Sequence, residues 1–381
     1  MTTFNTILTS KLKALDKQHL KRSRMPLKLS AEQLNFTSND YLSLSANKAL
    51  RQHYIDGFTN YPIGSGASMT VSGYHPLHQT LEQNFASYTQ CDSALLFNSG
   101  FSANLSIMNL MAYLQSQALV DKSCHASIYD GLKASNIKYQ RFAHNSIQHL
   151  LSKIDHNQTF KIILTEGVFS LSGQISKLNF FRSVCQKNTY IKCFVDEAHA
   201  FGVLGPHGLG ATAYFNLKQD TVPLRMIAFG KALNCQGAVV VGEKLWIEAL
   251  YQCARSNIYT TAISPALTWG LIHALEFVMA ADDKRCQLNN IIRYFHENVI
   301  CSPLSWSASQ TAIQQLKLGC PVKALRYAEE LNKVGILCYP MRYPTLSKPD
   351  TGLRIVLNAD HKPKDIELLF HHLHRLHDSI H

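Results

Sequence analysis

Residues 190–232 read YIKCFVDEAHAFGVLGPHGLGATAYFNLKQDTVPLRMIAFGKA, two apolar runs that flank a glycine-rich loop. Short apolar runs bounded by polar groups indicate buried strands of a parallel sheet, whose carboxyl ends form the edge that binds ligands. The first run, IKCFV, delivers Asp196 and His199 to that edge, and the second, LRMIAF, delivers Lys231. We therefore expect an acid, a histidine and a lysine to meet at one edge of a sheet.

An acid and a lysine at the same edge suit a cofactor that is both a pyridine and an aldehyde. A carboxylate that faces the ring nitrogen keeps it protonated and able to accept electrons, and a partly desolvated lysine can bond to the aldehyde. Lys231 lies in the apolar segment MIAFGKAL, where an unpaired ammonium group is costly, so a solvated surface lysine is the weaker interpretation. Asp196 and Lys231 together predict pyridoxal 5'-phosphate as the cofactor.

Residues 196–199 also spell DEAH, the sequence of a helicase Walker B segment. That function requires an upstream G-x-x-x-x-G-K-[ST] loop to hold phosphates, and the chain has none. The Gly230-Lys231 pair is followed by alanine and lies downstream of DEAH. The helicase interpretation is therefore much the weaker of the two.

The segments on both sides of this stretch predict an α/β fold. Between about residues 68 and 264, helical segments alternate with the short apolar strands ALLF, QALV, KIILTE, IKCFVD, RMIAFG and GAVVVG, as is typical of a doubly wound domain. After about residue 286 the order becomes helix, strand, strand, helix, which predicts a smaller α+β domain. We predict an N-terminal arm at 1–55, a large cofactor-binding domain at 56–285 and a small C-terminal domain at 286–381.

The phosphate group of the cofactor needs a site rich in hydrogen-bond donors. Ser99, Gly100 and Phe101 follow the predicted strand ALLF and open the helical segment SANLSIMNLMAYL. Backbone N–H groups at the positive end of a helix would face the anion there. The same residues could form a tight turn without a ligand, but their occurrence beside Asp196 and Lys231 favours the phosphate site.

The composition narrows the possible functions. The 381 residues are 46% hydrophobic, enough for a large and a smaller domain, and no apolar run is long enough to span a membrane. Ten cysteines occur without C-x-x-C and eighteen histidines without H-E-x-x-H, so we expect reduced thiols, a cytoplasmic protein and no metal site. The net charge of +11 is dispersed and forms no nucleic-acid-binding module. An acidic acyl donor, either a coenzyme A thioester or an acyl carrier protein, explains the positive charge more simply.

Seven ordered motifs make the chain similar to a known family. They are SNDYLSL (38–44), GSGASMTVSGYHPLHQTLE (64–82), LLFNSGFSAN (95–104), HASIYDG (125–131), TEGVFSLSG (165–173), DEAHAFGVLGPHGLG (196–210) and FGK (229–231). With these motifs the chain resembles the α-oxoamine synthases, pyridoxal phosphate enzymes of fold type I, from about Leu12 to the C-terminal helix. Each motif alone is weak, whereas their order and spacing are specific.

The resemblance implies roles that the residue types alone do not indicate. It implies that His125 stacks on the cofactor ring and that His199 binds the ring hydroxyl, with Ser170 as a nearby polar partner. It also implies that Arg354 binds the carboxylate of an amino acid. Arg354 lies in the apolar segment GLRIVL, where a guanidinium group needs an anionic partner.

Further expectations concern the substrate and the oligomer. By the same resemblance, Thr260 and Thr261 reach the phosphate of the neighbouring subunit's cofactor, which implies a homodimer with shared sites. Arg22 and Asn39 have weaker cases as substrate contacts. A solvated basic arm explains Arg22 about equally well.

The reaction that the resemblance implies is a decarboxylative condensation. Lys231, Asp196, His125 and His199 form the expected catalytic set. Lys231 removes the α-proton of L-alanine, and the carbanion attacks a pimeloyl thioester with loss of the thiol and carbon dioxide, as in biotin biosynthesis. Glycine C-acetyltransferase and synthases of the long-chain or autoinducer type use the same machinery, so the acyl donor and the amino acid stay open.

One position departs from the family pattern. Family members usually carry Thr or Ser three residues before the lysine, where the hydroxyl binds phosphate, but this chain has Ala228. The loss of one hydrogen bond to a charged group costs on the order of 1.5–3 kcal/mol. A protein of this fold that has lost catalysis and acts as a binding partner is therefore an alternative. Against it stands the joint presence of five site residues: Asp196, His199, Lys231, His125 and Arg354.

Overall fold

The computed structural model of the chain describes residues 3–24, 26, 33–155, 159–343 and 345–379. The chain forms two compact units. The larger unit comprises residues 39–170 and 174–287, and the smaller comprises 1–38, 171–173 and 288–381. The predicted domain bounds, 1–55, 56–285 and 286–381, stay a prediction.

A seven-stranded sheet forms the centre of the larger unit, in the order β2-β8-β7-β6-β5-β3-β4. Its strands are β2 (Ser93–Phe97), β3 (Gln117–Asp121), β4 (Tyr139–Phe142), β5 (Lys161–Glu166), β6 (Ile191–Asp196), β7 (Leu224–Ala228) and β8 (Ala238–Gly242). All neighbours pair in parallel except β8, which is antiparallel to both β2 and β7. The predicted strands are present, and β6 and β7 are neighbours, so their carboxyl ends lie at one edge.

Helices precede, connect and follow these strands. In chain order they are α2 (Lys48–Asn60), α3 (Pro76–Thr89), α4 (Gly100–Tyr113), α5 (Ala126–Ala134), α6 (Ile147–Leu151), α7 (Leu178–Lys187), α8 (Ala211–Tyr214), α9 (Lys244–Cys253), α10 (Arg255–Ile258) and α11 (Pro265–Met279). α1 (Phe4–Lys17) precedes them, and α12 (Asp282–Ile300) follows. Short 3-10 helices occupy Leu44–Ala46 and Pro206–Gly208. None of the described helices is both long and apolar enough to cross a membrane.

Two hydrophobic clusters cover the opposite faces of the sheet. Successive strand residues point to opposite faces, and accordingly Leu95 and Val240 belong to one cluster while Leu96 and Val241 belong to the other. Apolar residues on both faces therefore fill the middle of the central strands, which is why the sequence reveals them. Burial of both faces of the sheet holds in place the strand ends that carry the polar residues.

The smaller unit contains a three-stranded antiparallel sheet in the order β11-β12-β9 and a parallel pair, β1 with β10. These strands are β1 (Leu34–Asn35), β9 (Ile313–Lys317), β10 (Ile336–Leu337), β11 (Tyr339–Met341) and β12 (Gly352–Val356). Its helices after residue 300 are α13 (Pro321–Lys333) and α14 (Pro363–Asp378). The predicted helices α13 and α14 and the predicted strand β12 are present, but the segment ILCYPM, predicted as one strand, forms two, β10 and β11, which belong to different sheets. β9 precedes this part of the chain.

Candidate active site

Asp196 ends β6 at the carboxyl edge of the large sheet, and its side chain is almost fully buried. Its Oδ2 accepts a hydrogen bond from Asn104 Nδ2 (2.9 Å), and its Oδ1 accepts one from the backbone N–H of Ala198 (3.0 Å). Burial raises the pKa of Asp196, while these two hydrogen bonds and the positive charge of Lys231 oppose that rise. A buried carboxyl group whose two oxygens face fixed donors suits a cationic ring nitrogen as its partner.

Lys231 lies three residues beyond the end of β7, in a turn closed by a hydrogen bond from Asn234 N to its carbonyl oxygen (2.9 Å). Phe229 anchors this turn, because its fully buried ring stacks on Phe85 at a centroid distance of 5.3 Å. The neighbouring parallel strands β6 and β7 thus bring Asp196 and Lys231 to one edge of the sheet.

His199 is buried, and its Nδ1 lies 2.6 Å from the hydroxyl of Tyr41. Asn39 Oδ1 in turn accepts a weaker hydrogen bond from the same hydroxyl (3.3 Å). The structure therefore connects two predicted site residues, His199 and Asn39, through a tyrosine that the sequence does not single out. Tyr41 therefore fixes the orientation of the imidazole.

His125 immediately precedes α5 and is exposed at the same edge. Its Nδ1 lies 2.8 Å from the hydroxyl of Ser127 and also accepts a hydrogen bond from the backbone N–H of Ser127 (3.3 Å). An exposed ring whose inner nitrogen is bonded to its own helix has a restricted orientation. This geometry suits a ring that must stack on a flat ligand.

Ser99 caps α4 in a capping box. Its hydroxyl accepts a hydrogen bond from Ser102 N (3.1 Å), while Ser102 Oγ accepts one from Ser99 N (3.2 Å). A Cβ on Gly100 would lie 3.2 Å from the Met226 side chain and 3.3 Å from Ala228 Cβ. The methyl group of Ala228 therefore lies at the amino end of α4, where free N–H groups and the positive helix end can hold a phosphate.

Phe101 and the two threonines lie on the surface of the larger unit. Phe101 follows Gly100 in the first turn of α4, and its ring is 44% exposed. Thr260 and Thr261 are exposed, and the carbonyl oxygen of Thr261 accepts a hydrogen bond from Asn98 Nδ2 (2.8 Å). Thr261 thus lies next to the residue that precedes the capping box of its own chain. That the threonines serve the neighbouring subunit's cofactor stays a prediction.

Ser170 and Glu166 form a second polar group near Asp196. Glu166 ends β5 and is the register partner of Asp196 on β6. Its Oε2 accepts a hydrogen bond from the backbone N–H of Ser170 (2.9 Å). Burial, together with the charge of Asp196, raises the pKa of Glu166 well above its usual range.

Glu197, the second residue of the DEAH sequence, is fully buried and binds the loop that follows. Its carboxylate accepts hydrogen bonds from the N–H groups of Ala211 and Thr212 (both 2.8 Å) and from the Thr212 hydroxyl (2.7 Å). These bonds give Glu197 a structural role, so its presence in the DEAH sequence requires no nucleotide-binding function.

Arg22 and Arg354 belong to the smaller unit. Arg22 is exposed and follows α1 in an irregular segment. Arg354 is half-buried in the middle of β12, paired with Tyr339 on one side and Gln315 on the other. The other predicted site residues, Asn39 included, belong to the larger unit.

The residues that the sequence does not single out are Tyr41, Asn104, Ser127 and Glu166. Asn104 carries a signal, since an asparagine inside a helix of apolar residues is costly unless its amide is bonded. The partners of these side chains lie up to 158 positions away, as for Tyr41 and His199, so the sequence does not reveal the pairs. Among the described residues, no group of three His, Cys, Asp or Glu side chains could hold a metal ion.

The family model for aminotransferase class I and II matches residues 31–373. The chain belongs to this family. The 8-amino-7-oxononanoate synthase of Hydrogenovibrio crunogenus is 36% identical over 350 residues, which cover 91% of this chain and 88% of that protein. The predicted family resemblance and the predicted fold type I architecture are confirmed.

Solved structures extend the comparison. The crystal structure of 8-amino-7-oxononanoate synthase from Francisella tularensis has a TM-score of 0.80 and 30% identity, and the match covers 91% of this chain and 98% of that one. Serine palmitoyltransferase from Sphingomonas wittichii has a TM-score of 0.87 at 22% identity, covering 99% of this chain and 97% of that one. The second likeness establishes the fold alone.

Proposed function

We propose that this chain is a pyridoxal 5'-phosphate-dependent acyltransferase that condenses L-alanine with a pimeloyl thioester. The products are 8-amino-7-oxononanoate, carbon dioxide and the free thiol, which is a step of biotin biosynthesis. The observation that carries the proposal is the buried Asp196 carboxyl group at the end of β6, next to the strand that leads to Lys231, in a chain 36% identical to an 8-amino-7-oxononanoate synthase over 91% of its length.

The residues at the sheet edge fit the cofactor. The two carboxylate oxygens of Asp196 each have a fixed donor, so the charge can hold a proton on a ring nitrogen. The amino end of α4, with Ser99 and Gly100, offers N–H groups to the phosphate. Pyridoxal phosphate supplies an electron sink that stabilises negative charge on the α-carbon of the amino acid.

The protein's own groups then have defined tasks. Lys231 would hold the cofactor and, as an amine, would take the proton from the α-carbon of L-alanine. His199, oriented by Tyr41, and Ser170 would hold the cofactor's hydroxyl, and His125 would pack against its ring.

The substrate contacts and the assembly extend the proposal. Arg354 binds the amino-acid carboxylate through its bidentate fork. Arg22 and Asn39 are weaker candidates for substrate contacts. A homodimer with Thr260 and Thr261 at the partner's cofactor is supported by the large apolar side chains exposed at Ile63, Val71 and Tyr259. The acyl donor is a thioester of coenzyme A or acyl carrier protein, and the enzyme acts in the cytoplasm.

The test is product analysis with paired substrates. The purified protein, loaded with pyridoxal phosphate, is given L-alanine or glycine, each with pimeloyl-coenzyme A, pimeloyl-acyl carrier protein or acetyl-coenzyme A. Mass spectrometry should detect 8-amino-7-oxononanoate from L-alanine and a pimeloyl donor, with thiol and carbon dioxide in equal amounts. Turnover with glycine and acetyl-coenzyme A alone would contradict the proposal and favour a glycine C-acetyltransferase.

A further inference from the structure

A chain of buried hydrogen bonds connects His125 to Asp196. Asn104 uses one amide nitrogen for both neighbours, since its Nδ2 lies 2.9 Å from Asp196 Oδ2 and 2.9 Å from Ser127 Oγ. Ser127 Oγ in turn lies 2.8 Å from His125 Nδ1. Asn104 and Ser127 are 1% and 0% exposed, so no water competes for these bonds.

The His125 end of this chain fixes the direction of every bond. A backbone N–H can only donate, and Ser127 N–H points to His125 Nδ1, so this nitrogen must accept. The other end is held by the N–H of Ala198, which donates to Asp196 Oδ1.

The rest of the chain follows from this end. Because Nδ1 accepts, the Ser127 hydroxyl donates its proton to it, and Ser127 Oγ in turn accepts a hydrogen from the Asn104 NH₂. The second hydrogen of that NH₂ is donated to Asp196 Oδ2. The reversed amide would place the Asn104 oxygen 2.9 Å from Ser127 Oγ, whose proton is already donated to His125.

We infer that Asn104 and Ser127 are positioning residues that hold His125 as the neutral tautomer with its proton on Nε2, and that they couple this tautomer to the charge of Asp196. The ring of His125 then presents an N–H donor, not an acceptor, to whatever binds at the sheet edge. The consequence for catalysis rests on the proposed function, whereas the tautomer itself does not.

The direct test is nitrogen NMR of the holoenzyme with ¹⁵N-labelled histidine, in which the His125 signals are identified by their loss in His125→Gln. The inference predicts an unprotonated, hydrogen-bonded Nδ1 and a protonated Nε2 in the unaltered protein. A protonated Nδ1 in that protein would overturn it. This measurement needs neither a substitution at Ser127 or Asn104 nor an acyl substrate. It therefore separates a failure of the inference from a failure of the proposed function.

Ser127→Ala tests the relay itself, and Ser116→Ala is the matched control. Ser116 is also buried and hydrogen-bonded, with its hydroxyl donating to the Met111 carbonyl (2.8 Å), but it lies outside the site. Ser127→Ala should give a mixture of both His125 tautomers and lower kcat about tenfold, the equivalent of about 1.4 kcal/mol for one lost hydrogen bond. Ser127→Thr, which keeps the hydroxyl, should restore the single tautomer. Ser127→Ala with the tautomer of the unaltered protein would overturn the role of Ser127.

Discussion

Ala228 ends β7, and its methyl group lies beside Gly100 at the amino end of α4. This position is where a hydroxyl would reach a phosphate held by the N–H groups of the helix. The departure from the family pattern therefore lies within the proposed phosphate site. It removes one ligand and leaves the capping box of Ser99 in place.

Restoring the hydroxyl should tighten cofactor binding. Ala228→Thr is expected to lower the Kd of pyridoxal phosphate by about tenfold or more, because a hydrogen bond to a charged group contributes on the order of 1.5–3 kcal/mol. Valine has the same shape as threonine but lacks the hydroxyl, so Ala228→Val is the matched control. Equilibrium dialysis or absorbance titration measures the Kd. Equal effects of Thr and Val would mean that residue 228 does not contact the phosphate.

Asp196→Asn should separate cofactor binding from catalysis. The amide keeps the size of the side chain but cannot hold a proton on the ring nitrogen, so kcat at saturating cofactor should fall on the order of 100-fold or more. Asp220→Asn, at an exposed position, is the control. Retention of kcat within about threefold of the unaltered enzyme would refute the assigned role of Asp196.

The predictability of the site differs from residue to residue. Asp196 and Lys231 follow buried apolar strands, and such strands can be located from sequence because both faces are apolar. Asn104, Ser127 and Tyr41 act through hydrogen bonds to distant positions, and the residue type alone does not specify the partner. Two of these residues nevertheless lie within motifs that support the family resemblance, Tyr41 in SNDYLSL and Asn104 in LLFNSGFSAN.

At the level of elements, exposure decides which strands the sequence reveals. β5 is buried at every residue and contains the apolar run IIL in its sequence KIILTE, whereas β4 reads YQRF and has three exposed residues. β9 reads IQQLK, and its two glutamines are buried because they find hydrogen-bond partners, Gln314 at the Thr311 carbonyl (2.6 Å) and Gln315 at the Asp350 carbonyl (2.8 Å). Strands stabilised by such partners escape a search for apolar periodicity.

The contact between α3 and β2 should make stability depend on pH. Glu82 of α3 accepts hydrogen bonds from the Tyr74 hydroxyl (2.6 Å) and from Leu96 N (2.9 Å), yet burial raises its pKa from 4.5 to about 7. A carboxyl group whose pKa is raised by folding binds more protons in the folded state between these two values. Its contribution to stability is therefore present below pH 4.5 and is lost as the pH rises to about 7.

Glu82→Gln removes this titration. The free energy of unfolding, measured by urea titration from pH 4.5 to 8, should fall less steeply for Glu82→Gln than for the unaltered protein. The stability of the variant relative to the unaltered protein should therefore be highest at pH 8. Glu248→Gln, an exposed carboxylate of α9, is the control and should follow the unaltered protein. Parallel curves for Glu82→Gln and the unaltered protein would contradict the assignment.

At the scale of the whole molecule, the proposed homodimer makes a quantitative prediction for mixed subunits. Lys231→Ala removes the attachment of the cofactor, and Thr261→Asp places a carboxylate at the phosphate site. If Thr261 serves the partner's cofactor, a dimer with one subunit of each kind keeps one intact site out of two. A random mixture of the two inactive variants should then recover about one quarter of the activity of the unaltered enzyme.

The mixing experiment gives a different result if the threonine acts within its own subunit. If Thr261 serves the cofactor of its own chain, as its contact with Asn98 would allow, both sites of every mixed dimer are damaged. Activity then stays at the level of the separate variants. Size-exclusion chromatography with light scattering, together with two different affinity tags, establishes that mixed dimers have formed.

The central claim is that Lys231 and Asp196 form a pyridoxal phosphate site that acts on L-alanine and a pimeloyl thioester. The most direct test is the visible absorbance of the purified protein, loaded with the cofactor and titrated first with L-alanine and then with the pimeloyl thioester. We expect a lysine-dependent visible band, a saturable change with L-alanine and a further transient change on addition of the thioester. Lys231→Ala should lack the band, whereas Lys187→Ala should retain it. A protein without that band, or with a response to glycine and none to L-alanine, would contradict the account.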